Sequence, residues 1–265
     1  MFRVYSVSCE EIYFMVKQSL ASKAALITGA ARRIGAEISR TLHDAGMNVV
    51  LHYNHSQKEA QKLCEQLNEQ RPHSAALVSA ALDQPDQEKK LIEEAAAAFG
   101  RLDVLVNNAS RFYRTPMGNV TQDVWEDLMN SNLRSPFFLA QAAAPFLSAA
   151  EGCIVNITDI HAERPLRDYS VYCMSKAGLL MMTKALAKEL GPKIRVNAVA
   201  PGAIIWPEGE NAMTEAEKNK VIDQTVLDRH GAPKDIADAV LFFIRDAKYV
   251  SGQVLNVDGG RSLSA

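Results

Sequence analysis

The feature that most constrains this chain is an apolar run that ends in glycine. Ala24–Thr28 is followed at once by Gly29-Ala30-Ala31-Arg32-Arg33-Ile34-Gly35, and then by a helical pattern with Ile34, Ile38, Leu42 and Ala45 on one face. A strand that turns through glycine into a helix offers free backbone N–H groups and the positive end of the helix dipole to a phosphate. The strand–loop–helix context favours nucleotide binding over a plain turn. The same alternation continues down the chain. Asn48–Tyr53, Ala75–Ser79, Leu102–Asn107, Gly152–Thr158, Ile194–Ala200 and Gln253–Val257 read as strands. Helical patterns cover Ser56–Gln70, Asp86–Phe99, Thr121–Leu147 (adjusted around Pro136) and Asp168–Leu190. Strands that are apolar throughout suit a parallel sheet covered on both faces. Right-handed crossovers then give one doubly wound α/β sheet of about seven strands flanked by helices.

Composition narrows the function. The chain has 265 residues, with 29 Lys+Arg against 31 Asp+Glu. That balance argues against a general nucleic-acid binder or a polybasic membrane protein, and no segment approaches the ~18 apolar residues of a membrane span. Cys9, Cys64, Cys153 and Cys173 form no CxxC pair, which reads as free thiols in a reducing cytoplasm. The histidines are scattered without metal-ligand spacing, so no metal is expected. Residues 1–21 read as an N-terminal extension: Phe2–Val16 is apolar but interrupted by Glu10 and Glu11. Residues 22–265 then form a single domain. The polar stretch near 203–220 emerges where ligands sit in such sheets, as a substrate flap or as a plain surface loop.

The end of the second strand selects the cofactor. An NAD site places Asp or Glu there for the ribose 2′-hydroxyl. Here the residues are His52, Tyr53, Asn54, His55 and Ser56, none acidic. Arg33 in the glycine loop can face the same pocket, and a cation with a hydroxyl suits the 2′-phosphate of NADPH. The alternative is that Arg32 and Arg33 are solvated residues at a helix start, although two cations there oppose the dipole.

Tyr172 and Lys176 stand four apart, on one helix face. A nearby ammonium favours phenolate and pulls the tyrosine from about 10 toward neutrality. A tyrosine so tuned can donate a proton to a carbonyl or imine as hydride arrives. Asp159 lies thirteen residues upstream, Asn132 in the helix before the fifth strand, and Asn107-Asn108-Ala109-Ser110 at the end of the fourth.

Together these motifs resemble the short-chain dehydrogenase/reductase family, over residues 22–262. The resemblance implies a Rossmann-like fold. It implies a cofactor site that includes Gly29, Arg33, Ile34, Leu82, Asp83, Asn108, Ala109, Ser110, Tyr172, Lys176, Pro201 and Gly202. Tyr172 would be proton donor, Lys176 its partner on the nicotinamide ribose, and Asn132 the anchor of a water relay. It also implies a homotetramer built on the 121–147 helix, the Tyr172 helix and the C-terminal strand region. Three departures from the general pattern carry more. Arg33 replaces the middle glycine of the loop, Ser110 follows Asn-Asn-Ala, and Asp159 replaces the usual catalytic serine. All three resemble the pteridine reductases, as does the run Ser110-Arg111-Phe112-Tyr113-Arg114-Thr115-Pro116. That likeness implies a dihydropterin substrate contacted by Ser110, Phe112, Asp159, Tyr172 and Gly202. Phe112 offers a stacking face for a flat ring, with core packing as its alternative. A carboxylate and hydroxyls can bond the polar edge of a pterin. The competing reading is a carbonyl reductase of the same family, such as one for 3-oxoacyl thioesters; a sensor of NADPH without turnover is disfavoured by the intact Asn132, Tyr172 and Lys176.

Overall fold

The computed structural model describes residues 20–82, 84, 86–206 and 212–264. Strands β1 (Ala24–Ile27), β2 (Asn48–Tyr53), β3 (Ala75–Ser79), β4 (Val104–Asn107), β5 (Cys153–Ile157), β6 (Arg195–Pro201) and β7 (Val254–Val257) form one sheet, in the order β3-β2-β1-β4-β5-β6-β7. Every pairing is parallel. All residues of β1, β4 and β5 are buried, as their apolar runs require.

Neighbouring residues of a strand point to opposite faces and so feed two cores. Ile27, Leu51 and Val106 pack with Ile38 and Leu42 of α1 (Arg33–Asp44) and with Ile236 and Val240 of α8 (Pro233–Arg245). Leu63 and Leu67 of α2 (Gln57–Gln70) join the same side. On the other face, Leu26, Leu105 and Ile154 pack with α3 (Gln87–Phe99), α5 (Ser135–Ala149) and α6 (Ser170–Leu190). The chain leaves β1 in one direction through β2 and β3, and returns to its other side at β4. That reversal opens a crevice at the carboxyl ends of the strands.

Four boundaries depart from the sequence reading. The helix expected over Thr121–Leu147 is interrupted: α4 (Gln122–Met129) passes into a π-helical turn, Asn130–Arg134, before α5. The interruption precedes Pro136, which sits in the first turn of α5 where its missing N–H costs nothing. The stretch near 203–220 contains part of a helix, α7 (Glu215–Asp223), which a capping box between Thr214 and Glu217 starts; residues 207–211 lie outside the described residues. Helix α8 was not anticipated from the sequence. Leu20, placed in the N-terminal extension by the sequence, is 1% exposed and belongs to the core; residues 1–19 are outside the described residues. Among the described residues, no helix is long and apolar enough to cross a membrane.

Candidate active site

The glycine loop is built for close backbone approach. Gly29 has φ +62°, and a Cβ on Gly35 would lie 2.2 Å from the Gly29 carbonyl oxygen. Thr28 Oγ1 accepts the N–H groups of Asn108 and Ala109 at 2.9 and 3.0 Å. Asn108 Nδ2 donates back to the carbonyls of Thr28 and Gly29 at 2.8 and 3.1 Å. His52 closes the loop from β2: its Nδ1 accepts from Gly29 N at 3.1 Å and its Nε2 donates to Ala80 O at 3.1 Å. Burial holds this imidazole neutral, with a pKa of about 4, against the opposing Ala80 bond. The side chains of His52 and Asn108, expected at the cofactor, thus hold the loop in shape.

Helix α1 starts with no side-chain cap and no acidic residue in its first turn. Its open N–H groups and the close glycine packing fit a dinucleotide pyrophosphate. Arg33 adopts φ +55°, a conformation that glycine accepts freely and that costs a residue with a Cβ about 1 kcal/mol. Its Nη2 donates to the Trp206 carbonyl at 3.3 Å.

A cleft of about 1120 Å³ runs along the strand ends. Gly29, Arg33, Ile34 and His52 line it, with Tyr53, Asn54, His55 and Ser56 after β2 and Leu82 after β3. Asn108, Ala109, Ser110 and Phe112 line its middle. Asp159, Tyr172, Lys176, Pro201 and Gly202 complete it. Asp83 lies outside the described residues.

Asp159 follows β5, and Tyr172 stands on the first turn of α6. The Tyr172 hydroxyl donates to Asp159 Oδ2 at 2.7 Å, while Asp159 Oδ1 accepts from His161 N at 2.8 Å. Burial, then the Asp159 charge and hydrogen bond, hold the Tyr172 phenol well above its ordinary range. This reverses the expected pull toward neutrality. The carboxylate touches the hydroxyl, whereas Lys176 Nζ donates to Ile157 O at 3.0 Å and lies 5.8 Å from the centre of the Tyr172 ring. Burial lowers Lys176 to about 8, with Asp159 opposing.

Asn132 is fully buried in the π-helical turn and does not line the cleft. Its Oδ1 accepts from Arg111 N at 2.8 Å and from Ser110 Oγ at 3.1 Å. Its Nδ2 donates to Arg111 O at 3.0 Å and to Ser175 Oγ at 3.1 Å. Protein groups therefore occupy the side chain expected to anchor a water relay, and they pin the segment that carries Ser110 and Phe112.

Phe112 is 37% exposed, on the cleft wall rather than in the core. It stacks on Tyr169 at 4.6 Å and 14°, and meets Tyr172 edge-on at 4.8 Å and 81°. The sequence reading missed Tyr169, although it stands one helical turn before Tyr172. It also missed Arg261, which lines the cleft from the far C-terminal end of the domain.

The sheet order, glycine cradle and Asp–Tyr–Lys cluster define a dinucleotide-dependent oxidoreductase. The model of a family described as enoyl-(acyl carrier protein) reductase matches residues 29–262. The 3-oxoacyl-[acyl-carrier-protein] reductase of Staphylococcus epidermidis is 36% identical over 242 residues, covering 90% of this chain and 98% of that protein. Its counterpart in Staphylococcus aureus is 35% identical with the same coverage. Pteridine reductase 1 of Leishmania tarentolae is 32% identical over 288 residues, covering 93% of this chain and 98% of that one. The chain belongs to the short-chain dehydrogenase/reductase family.

Proposed function

We propose that this protein is an NADPH-dependent reductase of dihydropterins. The observation that carries the reading is the 2.7 Å hydrogen bond from Tyr172 to Asp159, at the position where the carbonyl reductases it resembles keep a serine. Bound along the cleft, a reduced nicotinamide supplies a hydride. The chain's own residues supply the proton. Tyr172 stays a phenol throughout the neutral range and donates a hydrogen bond to Asp159, so together they form a path to a ring nitrogen beside the carbon that accepts hydride. Phe112, braced by Tyr169, offers its open face to a flat ring. Ser110 Oγ is fixed by Asn132 for the ring's polar edge. Arg33 and Ser56 line the cleft where they would hold the 2′-phosphate of NADPH, and Lys176 would serve the ribose.

A second reading is reduction of 3-oxoacyl thioesters. It is favoured by the higher identity to proteins named for that activity, 36% against 32% for the pteridine reductase. Following NADPH oxidation with dihydropterins and with 3-oxoacyl thioesters separates the two. Turnover of a dihydropterin at least ten times more efficient than that of any thioester is expected; the reverse order overturns the pterin reading. The assembly we propose is a homotetramer. Phe137, Phe138 and Phe146 of α5 and Met174 and Met181 of α6 are exposed apolar side chains on the helices that would meet. The free thiols Cys64, Cys153 and Cys173 suit a reducing cytoplasm.

A further inference from the structure

The cleft holds a part-buried cation, Arg261, whose backbone is fixed and whose guanidinium makes no hydrogen bond among the described residues. Arg261 follows β7 in a short 3₁₀ turn, Arg261–Leu263. The backbone around it is fixed from several sides. Asp258 Oδ1 accepts from Gly260 N at 2.9 Å, and its Oδ2 accepts from Ser262 N at 2.7 Å. Arg164 Nη1 donates to the carbonyl of Arg261 itself at 3.0 Å. Gly202, after β6, packs so closely that a Cβ there would lie 2.6 Å from Asp258 Cβ. The turn is thereby locked to the end of β6, beside the end of β5 that leads into Asp159.

The Arg261 side chain lines the same cleft as Asp159 and Tyr172. It is part-buried. Two other arginines of this cleft pair with acids: Arg111 with Asp127, and Arg114 with Asp168 at 3.4 Å; Arg167 lines it too but is exposed to water, where a cation needs no partner. Among the described residues, no carboxylate or carbonyl accepts a hydrogen bond from the Arg261 guanidinium. Burial pulls it below the usual arginine range, with the charge of Asp159 opposing. A guanidinium taken partly out of water without a partner is unfavourable unless something else supplies the anion. The cofactor's phosphates do not answer this need, since their cradle is the glycine loop after β1 and the residues after β2.

We infer that Arg261 recognises an anionic group, a carboxylate or a phosphate, on the tail of the substrate, and so makes this a reductase of tailed, anionic substrates. The planar fork of arginine suits either oxyanion in bidentate geometry. The inference deepens the reading of this cleft as a substrate site. It needs only that a ring or carbonyl be reduced at Tyr172 while its tail runs toward β7.

The test uses matched pairs at saturating NADPH. For pterins the pair is dihydrofolate, whose tail ends in carboxylates, and 6-methyl-dihydropterin, which has no tail. For thioesters it is a 3-oxoacyl coenzyme A, which bears phosphates, and the corresponding N-acetylcysteamine thioester, which bears none. The full-length wild-type enzyme should prefer the anionic member of whichever pair it reduces. In Arg261→Gln that preference, read as the ratio of kcat/KM values, should fall about ten- to a hundred-fold, through KM of the anionic member. Arg261→Lys should retain part of it. If the glutamine variant fails to fold, wild-type salt dependence gives the same answer. KM for the anionic member should rise with potassium chloride while that of the neutral member stays level. A wild-type enzyme indifferent to the tail, or a preference unchanged in Arg261→Gln, overturns the inference. Failure of both pterins with success of the thioesters overturns the pterin reading alone, and the thioester pair still reports on Arg261.

Discussion

Arg33 combines a left-handed backbone with a guanidinium at the mouth of the cofactor cradle, at a position where the family pattern has glycine. Arg33→Gly should change stability by less than about 1 kcal/mol, because it relieves that strain while loosening the unfolded chain. It should raise KM for NADPH by about ten- to a hundred-fold and leave KM for NADH nearly level. Equal losses for the two cofactors would mean that Arg33 only shapes the loop. At the proposed proton donor, Tyr172→Phe keeps the ring against Phe112 and removes the hydroxyl. The expected result is a fall in kcat on the order of a hundred-fold or more, with NADPH binding retained in a fluorescence titration. Asp159→Ser removes the nearest charge that opposes phenolate, so the Tyr172 pKa should fall, and pterin turnover should suffer more than cofactor binding. A variant that reduces dihydropterin at the parent rate across pH 5–8 would remove Asp159 from the proton path. Lys176 sets a different limb. Burial lowers it to about 8, so it is an ammonium below that pH and neutral above. For the free enzyme, kcat/KM should therefore decline as pH rises through about 8. Lys176→Arg stays charged and should lose that limb; a limb at the same pH in this variant would assign it elsewhere. The Asp159–Tyr172–Lys176 set was legible because thirteen- and four-residue spacings survive in a linear chain. The sign of the tyrosine's shift was not, because the contact of hydroxyl with carboxylate depends on how β5 ends against α6.

Among the elements, the strands were the easiest to read. All seven strand runs fall within two residues of observed strands, and β2 and β3 match end to end, because both faces of a parallel sheet demand apolar side chains. Helix α7 could not be found by an apolar stripe, since it buries no residue; the Thr-x-x-Glu start at Thr214 and Glu217 was its only signal. The π-helical turn at Asn130–Arg134 was equally hidden, since helix-forming propensity does not distinguish it from the helices on either side. It delivers Asn132 to four polar partners, Arg111 N, Arg111 O, Ser110 Oγ and Ser175 Oγ. Asn132→Ala would leave several of these without partners. Unfolding in urea should show a loss of about 2–4 kcal/mol, together with a raised KM for the pterin as the segment carrying Phe112 loosens. A loss of stability with an unchanged KM would confine Asn132 to packing.

For the whole molecule, the exposed apolar side chains of α5 and α6 make assembly the first property to measure. Met174 and Met181 lie seven residues apart and so share one face of α6, where Met181 is 62% exposed. Light scattering at micromolar concentration should give the mass of a tetramer, and Met181→Asp should lower it; a wild-type monomer would refute the proposed assembly. The network through Thr28, Asn108 and His52 has its own consequence for the protein as a receptor. It ties the glycine loop to β2 and β4 before any nucleotide arrives. A cradle already rigid has little freedom left to surrender, so the entropy that usually erodes affinity is spent once, during folding. Capture of the dinucleotide should then resemble docking into a preformed mould, with affinity governed by fit and charge and hardly at all by the work of ordering a loop.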